Sequence, residues 1–227
     1  MKIEHITLLN AFDATLRGYF TTSDSAKDVC VLMLHGFTGN KTETGGIFRT
    51  FSRLLVDNNI SSLRLDYMGN GESDKEFCDF DWNTLKSDVL VMLEYVIDTL
   101  QFKKVIVLGF SMGGALALEL AKTKADAILG LLLWSPAVNI KEIMERIFHS
   151  SPKLSNGNID YLGWEIKRDF LETLHDYAFS KDIKNVNMPC MVIHGTKDLP
   201  VPYVNGESVA KNLEKCELIL VKDATHG

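Results

Sequence analysis

The chain is poor in the features that mark special environments. Its 227 residues include only four cysteines, Cys30, Cys78, Cys190 and Cys216, set far apart along the sequence. Neither a metal-site spacing nor a small disulfide framework fits them. Cys30 and Cys190 fall inside apolar runs and read as buried thiols. With no HExxH and no clustered Cys/His pattern, no metal and no cofactor is expected. Positive charge is scarce too: 24 Lys+Arg against 30 Asp+Glu leave a net charge of -6 and a pI near 5.5. Lacking a basic run, the chain has neither nucleic acid nor an anionic membrane surface as an expected partner. The longest apolar stretch, residues 128–138, is interrupted by Gly130, Ser135 and Pro136. It falls short of the roughly 20 apolar residues that span a bilayer. The opening Met-Lys-Ile-Glu-His is charged and alternating, with no signal-peptide core. A cytoplasmic location is the expectation. No internal repeat or low-complexity linker is visible, and 46% hydrophobic residues are ample for a core, which excludes disorder as the main state.

What the sequence does have is alternation. Residues 3–9 and 12–20 alternate as short strands around a turn near Asn10. Residues 28–34, 60–65, 104–108, 128–133, 190–193 and 217–221 are apolar runs without alternation, the pattern of strands buried on both faces of a parallel sheet. Helical spacing lies between them, at Phe48, Phe51, Leu54 and Leu55, then at Leu85, Val89, Met92, Leu93 and Val96. It recurs at Leu116, Leu120 and Ala121, and at Val209 and Leu213. This predicts an α/β fold, a mostly parallel central sheet with helices on both faces. One segment breaks the rhythm. Residues 135–188 carry no strong buried-strand run, only helix-like pieces at 141–148 and 165–177 and a polar stretch at 150–160. This segment is too long for a plain loop. It reads as a small inserted cap, with residues 1–134 and 189–227 as the core; an ordinary crossover with a long irregular connection is the alternative.

Four motifs carry chemistry. Gly109-Phe110-Ser111-Met112-Gly113 follows a strand-like run and opens a helix-like one, the context of a G-x-S-x-G nucleophile elbow. Side chains at Gly109 and Gly113 would collide with the turn, and the helix N-terminus behind Ser111 favours developing negative charge. His35-Gly36-Phe37-Thr38-Gly39-Asn40 follows another strand and can aim a backbone N–H at the same place. The residue after the nucleophile, Met112, and Phe37 are the two candidate oxyanion donors. His35 reads as a hydrogen-bonding residue of the loop rather than a base. His194-Gly195-Thr196-Lys197-Asp198 ends a third strand, and Asp223-Ala224-Thr225-His226 follows the last. The order Ser111, Asp198, His226 is that of an α/β-hydrolase triad, and each member sits past the C-terminal end of a strand. His226 would take the Ser111 proton while Asp198 holds the imidazole tautomer. Asp66 and Asp223 are the competing acids. His5, His149, His175 and His194 read as surface or structural.

These motifs, with Asp66-Tyr-Met-Gly69-Asn-Gly71-Glu-Ser73, resemble the serine α/β-hydrolase superfamily over essentially the whole chain outside the cap. Within it the chain is most similar to the small bacterial cinnamoyl (feruloyl) esterases, which share an HGFT loop and a compact cap. Monoacylglycerol lipases and serine aminopeptidases are similar at the same motifs. The resemblance implies the α/β-hydrolase fold and a carboxylic-ester hydrolase acting on small to medium acyl or aryl esters. It implies Ser111, Asp198 and His226 as the triad and the N–H groups of Phe37 and Met112 as the oxyanion hole. The segment around Asp66 is implied to be structural. The elbow departs at Phe110 and Met112, where cinnamoyl esterases usually carry His and Gln.

Three expectations remain. The aromatic residues Phe148, Tyr161, Trp164, Phe170 and Tyr177 either line an apolar acyl or aryl pocket or form the cap's own core. A non-catalytic binding module on this scaffold would show a broken triad. Relatives carry a further helix after the last strand, and none follows His226 before Gly227. The chain therefore reads as truncated or as leaving an apolar strip exposed, which favours self-association, a homodimer being one outcome. His226, near the chain end, is expected to fray beyond the ~2.6–3.2 Å of a working hydrogen bond and to leave the scaffold poorly active.

Overall fold

A computed structural model describes residues 1–26 and 28–227 of the chain. In chain order the elements are β1 (Lys2–Leu9), β2 (Thr15–Thr22), β3 (Cys30–Leu34), α1 (Ile47–Asp57), β4 (Ser61–Leu65), α2 (Trp82–Glu94), β5 (Val105–Phe110) and α3 (Met112–Thr123). They continue with β6 (Ile128–Trp134), α4 (Ile140–Ser150), β7 (Ile159–Tyr161), β8 (Trp164–Ile166), α5 (Arg168–Thr173), β9 (Cys190–Gly195), α6 (Val204–Asn212) and β10 (Cys216–Val221). Among the described residues, eight strands form one sheet in the order β1-β2-β4-β3-β5-β6-β9-β10. The β1–β2 and β2–β4 pairs are antiparallel and the rest are parallel. This is the predicted α/β-hydrolase sheet, and its parallel strands bring the loops at their C-terminal ends to one edge.

The two faces are covered unequally. Val31, Met33 and Leu108 pack with Phe48 and Leu55 of α1 on one face. On the other face lies the main core, built with Leu85, Val89 and Met92 of α2, Leu116 and Leu120 of α3, and Val209 of α6. The central strand β3 is buried at every position, as its continuous apolar run predicts. β6 and β9 have equally apolar sequences but alternate in burial, with Leu132, Trp134, Met191 and Ile193 only half-buried. The uniform runs predict two fully covered faces, whereas α1 meets β6 through Phe48 and Phe51 on Trp134, centroids 6.1 and 5.2 Å apart, and leaves these positions half-buried. On β10, Ile219, Leu220 and Val221 are 38–42% exposed. Cys30 and Cys190 are buried free thiols. Cys216, distant from Cys190 in sequence, faces it in register across the β9–β10 pair.

Between residues 135 and 188 one of the two helix-like pieces is a single helix and the other is not. The helix-like piece at 141–148 is α4. The piece at 165–177 is not one helix. Trp164–Ile166 is β8, paired antiparallel with β7, and only Arg168–Thr173 forms a helix. Leu162 and Gly163 adopt positive φ at the hairpin tip, a turn that periodicity does not reveal. The segment packs against the core through Phe170 on Phe80, through the Tyr177 ring on Trp82, and through the Trp82 N–H on Thr173 Oγ1 at 3.0 Å. The α2 start there is capped by Asp81, whose carboxylate accepts from the Asn83 and Thr84 N–H groups.

Candidate active site

Ser111 sits between β5 and α3 at φ 54 and ψ -118, a strained conformation for a residue with a side chain. The surroundings hold it there. Its N–H donates to the Trp134 carbonyl at 2.9 Å, and its carbonyl accepts from Gly114 and Ala137, each at 2.9 Å. The flanking glycines are a steric necessity. A Cβ on Gly109 would stand 2.3 Å from the Gly113 carbonyl oxygen, and one on Gly113 would stand 2.1 Å from that of Leu34. The strand–turn–helix read from the sequence is therefore present, with its serine at the C-terminal edge of the sheet and 9% exposed.

The other two residues meet it there. His226 Nε2 is 3.0 Å from Ser111 Oγ, and His226 Nδ1 is 2.7 Å from Asp198 Oδ2. The fraying expected of the chain end is thus absent from the geometry. The turn after β10 is tied back by Lys197 N–H to the Ala224 carbonyl at 2.9 Å and by Asp223 N–H to Thr196 Oγ1 at 2.9 Å. The His226 ring also lies against Phe110, centroids 4.9 Å apart.

Asp198 is buried. Burial alone would push its carboxyl up, but hydrogen bonds from His194, His226 and the Val201 N–H outweigh that and hold it well below the usual carboxylate range. Ionised, it accepts only, so His226 Nδ1 carries the hydrogen and Nε2 is free to accept the Ser111 hydroxyl proton. The competing acids are engaged elsewhere. Asp66 accepts from the Lys41 backbone N–H at 2.6 Å, from Lys41 Nζ at 2.5 Å and from the Glu72 N–H at 2.8 Å. Asp223 pairs with Lys197 at 2.9 Å on the surface.

The loop after β3 forms the opposite wall. His35 stacks on Tyr67, centroids 3.9 Å apart. Its Nδ1 is 2.9 Å from the Gly36 carbonyl, and its Nε2 accepts the Tyr67 N–H at 3.2 Å. Burial pushes its pKa below the ordinary histidine value, so it is a neutral structural ring. Among the described residues, the backbone N–H groups of Phe37 and Met112 have no hydrogen-bond partner. Met112 is the first residue of α3, where such orphan donors gather. The Phe37 ring meets Phe77, Phe80, Tyr161 and Phe170 at centroid distances of 5.6–6.1 Å. A cleft of about 680 Å³ runs from Thr38 and Asn40 past Phe77 to Trp164 and Glu165. An apolar cavity of about 230 Å³, lined by Phe110, Trp134, Ile193 and Val221, adjoins His226.

Residues 25–167 match the family described as serine aminopeptidase, S33 (Hydrolase_4), which covers the Ser111 elbow and the Phe37 loop. The chain belongs to the serine aminopeptidase S33 family. It is an enzyme of the serine-hydrolase class, with the α/β-hydrolase fold. A relative of this S33 chain is the AB hydrolase superfamily protein YisY of Bacillus subtilis, 24% identical over 234 residues, covering 87% of this chain and 84% of that protein. Among solved structures it resembles Est1E from Butyrivibrio proteoclasticus with ferulic acid bound. The TM-score is 0.84 at 22% identity, over 97% of this chain and 90% of the other. The Pyrococcus furiosus esterase Pf2001 superposes with a TM-score of 0.73 at 17% identity, over 99% and 84% of the two chains. Among the described residues, no helix is long and apolar enough to cross a membrane.

One residue of the site escaped the sequence reading, and a second, His194, was read only as surface or structural. Glu43, buried and at φ 59, accepts the Gly36 N–H at 2.5 Å and the Thr44 N–H at 3.0 Å, so it braces the Phe37 loop. No local pattern announces it. His194 is fully buried and contacts Asp198. The four-residue spacing to Asp198 was its only signal.

Proposed function

We propose that the protein hydrolyses carboxylic esters of small to medium acyl or aryl acids through an acyl-enzyme on Ser111. The observation that carries this reading is the unbroken Ser111–His226–Asp198 relay, with links of 3.0 and 2.7 Å. In the first step His226 Nε2 takes the Ser111 proton as Oγ bonds to the ester carbonyl carbon. The carbonyl oxygen becomes the oxyanion, held by the Phe37 and Met112 N–H groups. Collapse expels the alcohol, which receives the proton from His226. Water then attacks the acyl-enzyme by the same relay. Segment 135–188 acts as a cap that shapes the acyl site, a reading supported by Tyr161 and Phe170 against Phe37. The likeness to Est1E with ferulic acid bound favours aryl acids within that class. The S33 family description makes a peptide amide the competing substrate.

The test is fluorophosphonate labelling of wild type and Ser111→Ala, followed by a panel of p-nitrophenyl esters, monoacylglycerol, methyl ferulate and a peptide amide. Labelling confined to wild type, with ester turnover that falls at least ~10⁴-fold in the variant, is the expected result. An unlabelled wild type, or an active Ser111→Ala, refutes the reading.

A further inference from the structure

His194 stands on β9 four residues before Asp198 and is fully buried. Its Nε2 lies 2.8 Å from the Val201 carbonyl oxygen and 3.3 Å from Asp198 Oδ2. A carbonyl only accepts, so this nitrogen carries the hydrogen, and the same N–H reaches the carboxylate. In the neutral ring Nδ1 is then the bare nitrogen. Among the described residues it has no partner, and it faces α6, where a Cβ on Gly206 would stand 2.8 Å from it. The ring is thus wedged in one tautomer between β9 and α6. Val201 closes the arrangement, because its N–H donates to Asp198 Oδ1 at 2.9 Å while its carbonyl accepts from His194. Both carboxylate oxygens are therefore anchored from the core side before His226 approaches Oδ2.

We propose that His194 is a positioning residue, whose Nε2–H, together with the Val201 N–H, sets the plane of the Asp198 carboxylate that His226 meets. The inference rests on the triad reading given above. Its physical basis is that the orientation of the imidazole has to be imposed from one side. His226 follows the exposed strand β10, whereas Asp198 and His194 have no exposed side-chain surface. A hydrogen bond made only to fill the Val201 carbonyl would be satisfied by any donor and would leave catalysis unchanged.

The experiment compares His194→Gln, His194→Asn and His194→Leu with wild type on p-nitrophenyl acetate. Rates are normalised by fluorophosphonate titration of active sites, and Tm is measured for each. Gln can place its Nε2 where the imidazole Nε2 stands, whereas Asn places its nitrogen nearer the Nδ1 position. The Asn and Leu variants are expected to lose about 10-fold or more in kcat per site, with KM within about twofold, and Gln to stay within about threefold of wild type. The low-field proton resonance of the His226 Nδ1–H should move in Asn and Leu and stay in Gln. If the Leu variant does not fold, the Gln and Asn pair decides. Unchanged kcat per site in the Asn variant, or losses in all variants that track Tm alone, overturns the inference while the triad reading stands. An unlabelled wild type overturns both.

Discussion

Ser111 leaves β5, which has β3 on one side and β6 on the other, while His226 follows β10, an edge strand whose last three residues are 38–42% exposed. The serine is clamped through its own backbone, by the Trp134 carbonyl and by the Gly114 and Ala137 N–H groups. The histidine arm is held one turn away, by Thr196 N–H to the Val221 carbonyl at 3.0 Å, by Lys197 N–H to Ala224 and by Asp223 N–H to Thr196 Oγ1. The comparison teaches where each half is vulnerable. A change to the backbone of the serine turn disturbs packed core and appears as lost stability. A change on the histidine side moves an exposed arm and appears as lost rate.

The largest expected effect is at the junction of the two halves. Asp198→Asn keeps the shape but presents an amide to His226, and kcat should fall by about 10⁴. Retained activity would mean that another group orients the imidazole.

Next comes a pair of glycine substitutions. In Gly195→Ala the new Cβ would meet the carbonyl oxygens of Ala224 and Thr225 at 2.4 and 2.6 Å, so the arm should shift and kcat should drop by about 10², with a small change in Tm. In Gly109→Ala the Cβ meets the Gly113 carbonyl oxygen at 2.3 Å and Gly114 Cα at 2.7 Å, inside packed core. About 3 kcal/mol or more of stability should be lost, seen in urea denaturation. Equal destabilisation by both would break the comparison.

The core half also has its own pH response. Burial raises the Asp88 carboxyl to about 6, although Asn10 Nδ2 and the Met68 N–H donate to it. Between about pH 4 and that value the folded state binds more protons than the unfolded state. Its contribution to stability therefore falls as pH rises through this window, by an amount on the order of 3 kcal/mol. Asp88→Asn should flatten that slope in urea midpoints measured across the window. Parallel slopes would refute the assignment. The smallest effect is expected from Thr196→Val, which removes one tie on the arm. A several-fold loss of kcat with unchanged stability should follow, since a single exposed hydrogen bond contributes about 1 kcal/mol.

Much of this was legible beforehand. Each main-sheet strand was placed from its apolar run or alternation, and the elbow from its glycines, because burial and steric exclusion act on neighbours in the chain. The hairpin β7–β8 was missed because its turn rests on positive φ at Leu162 and Gly163 rather than on a period. The half-open flank of β6 and β9 was missed because uniform apolarity does not say which helix lies over a face. The loose His226 geometry was anticipated from sequence position alone, which neglects the cross-strand ties of residues 196 and 197.

The sequence by itself determined the alternating strands and helices, the strained serine turn and the short menu of acids and bases, all of them consequences of local patterning. The order of the motifs named Asp198 and His226, but only the tertiary structure brings them together, at 2.7 Å. Ser111 and His226 lie 115 residues apart, and their 3.0 Å contact depends on the register of β5, β6, β9 and β10. The partners of Glu43 and His194 are set at the same level. A buried polar side chain takes its partners from whatever the sheet brings beside it, and that is a property of the assembled fold rather than of its neighbours in the chain.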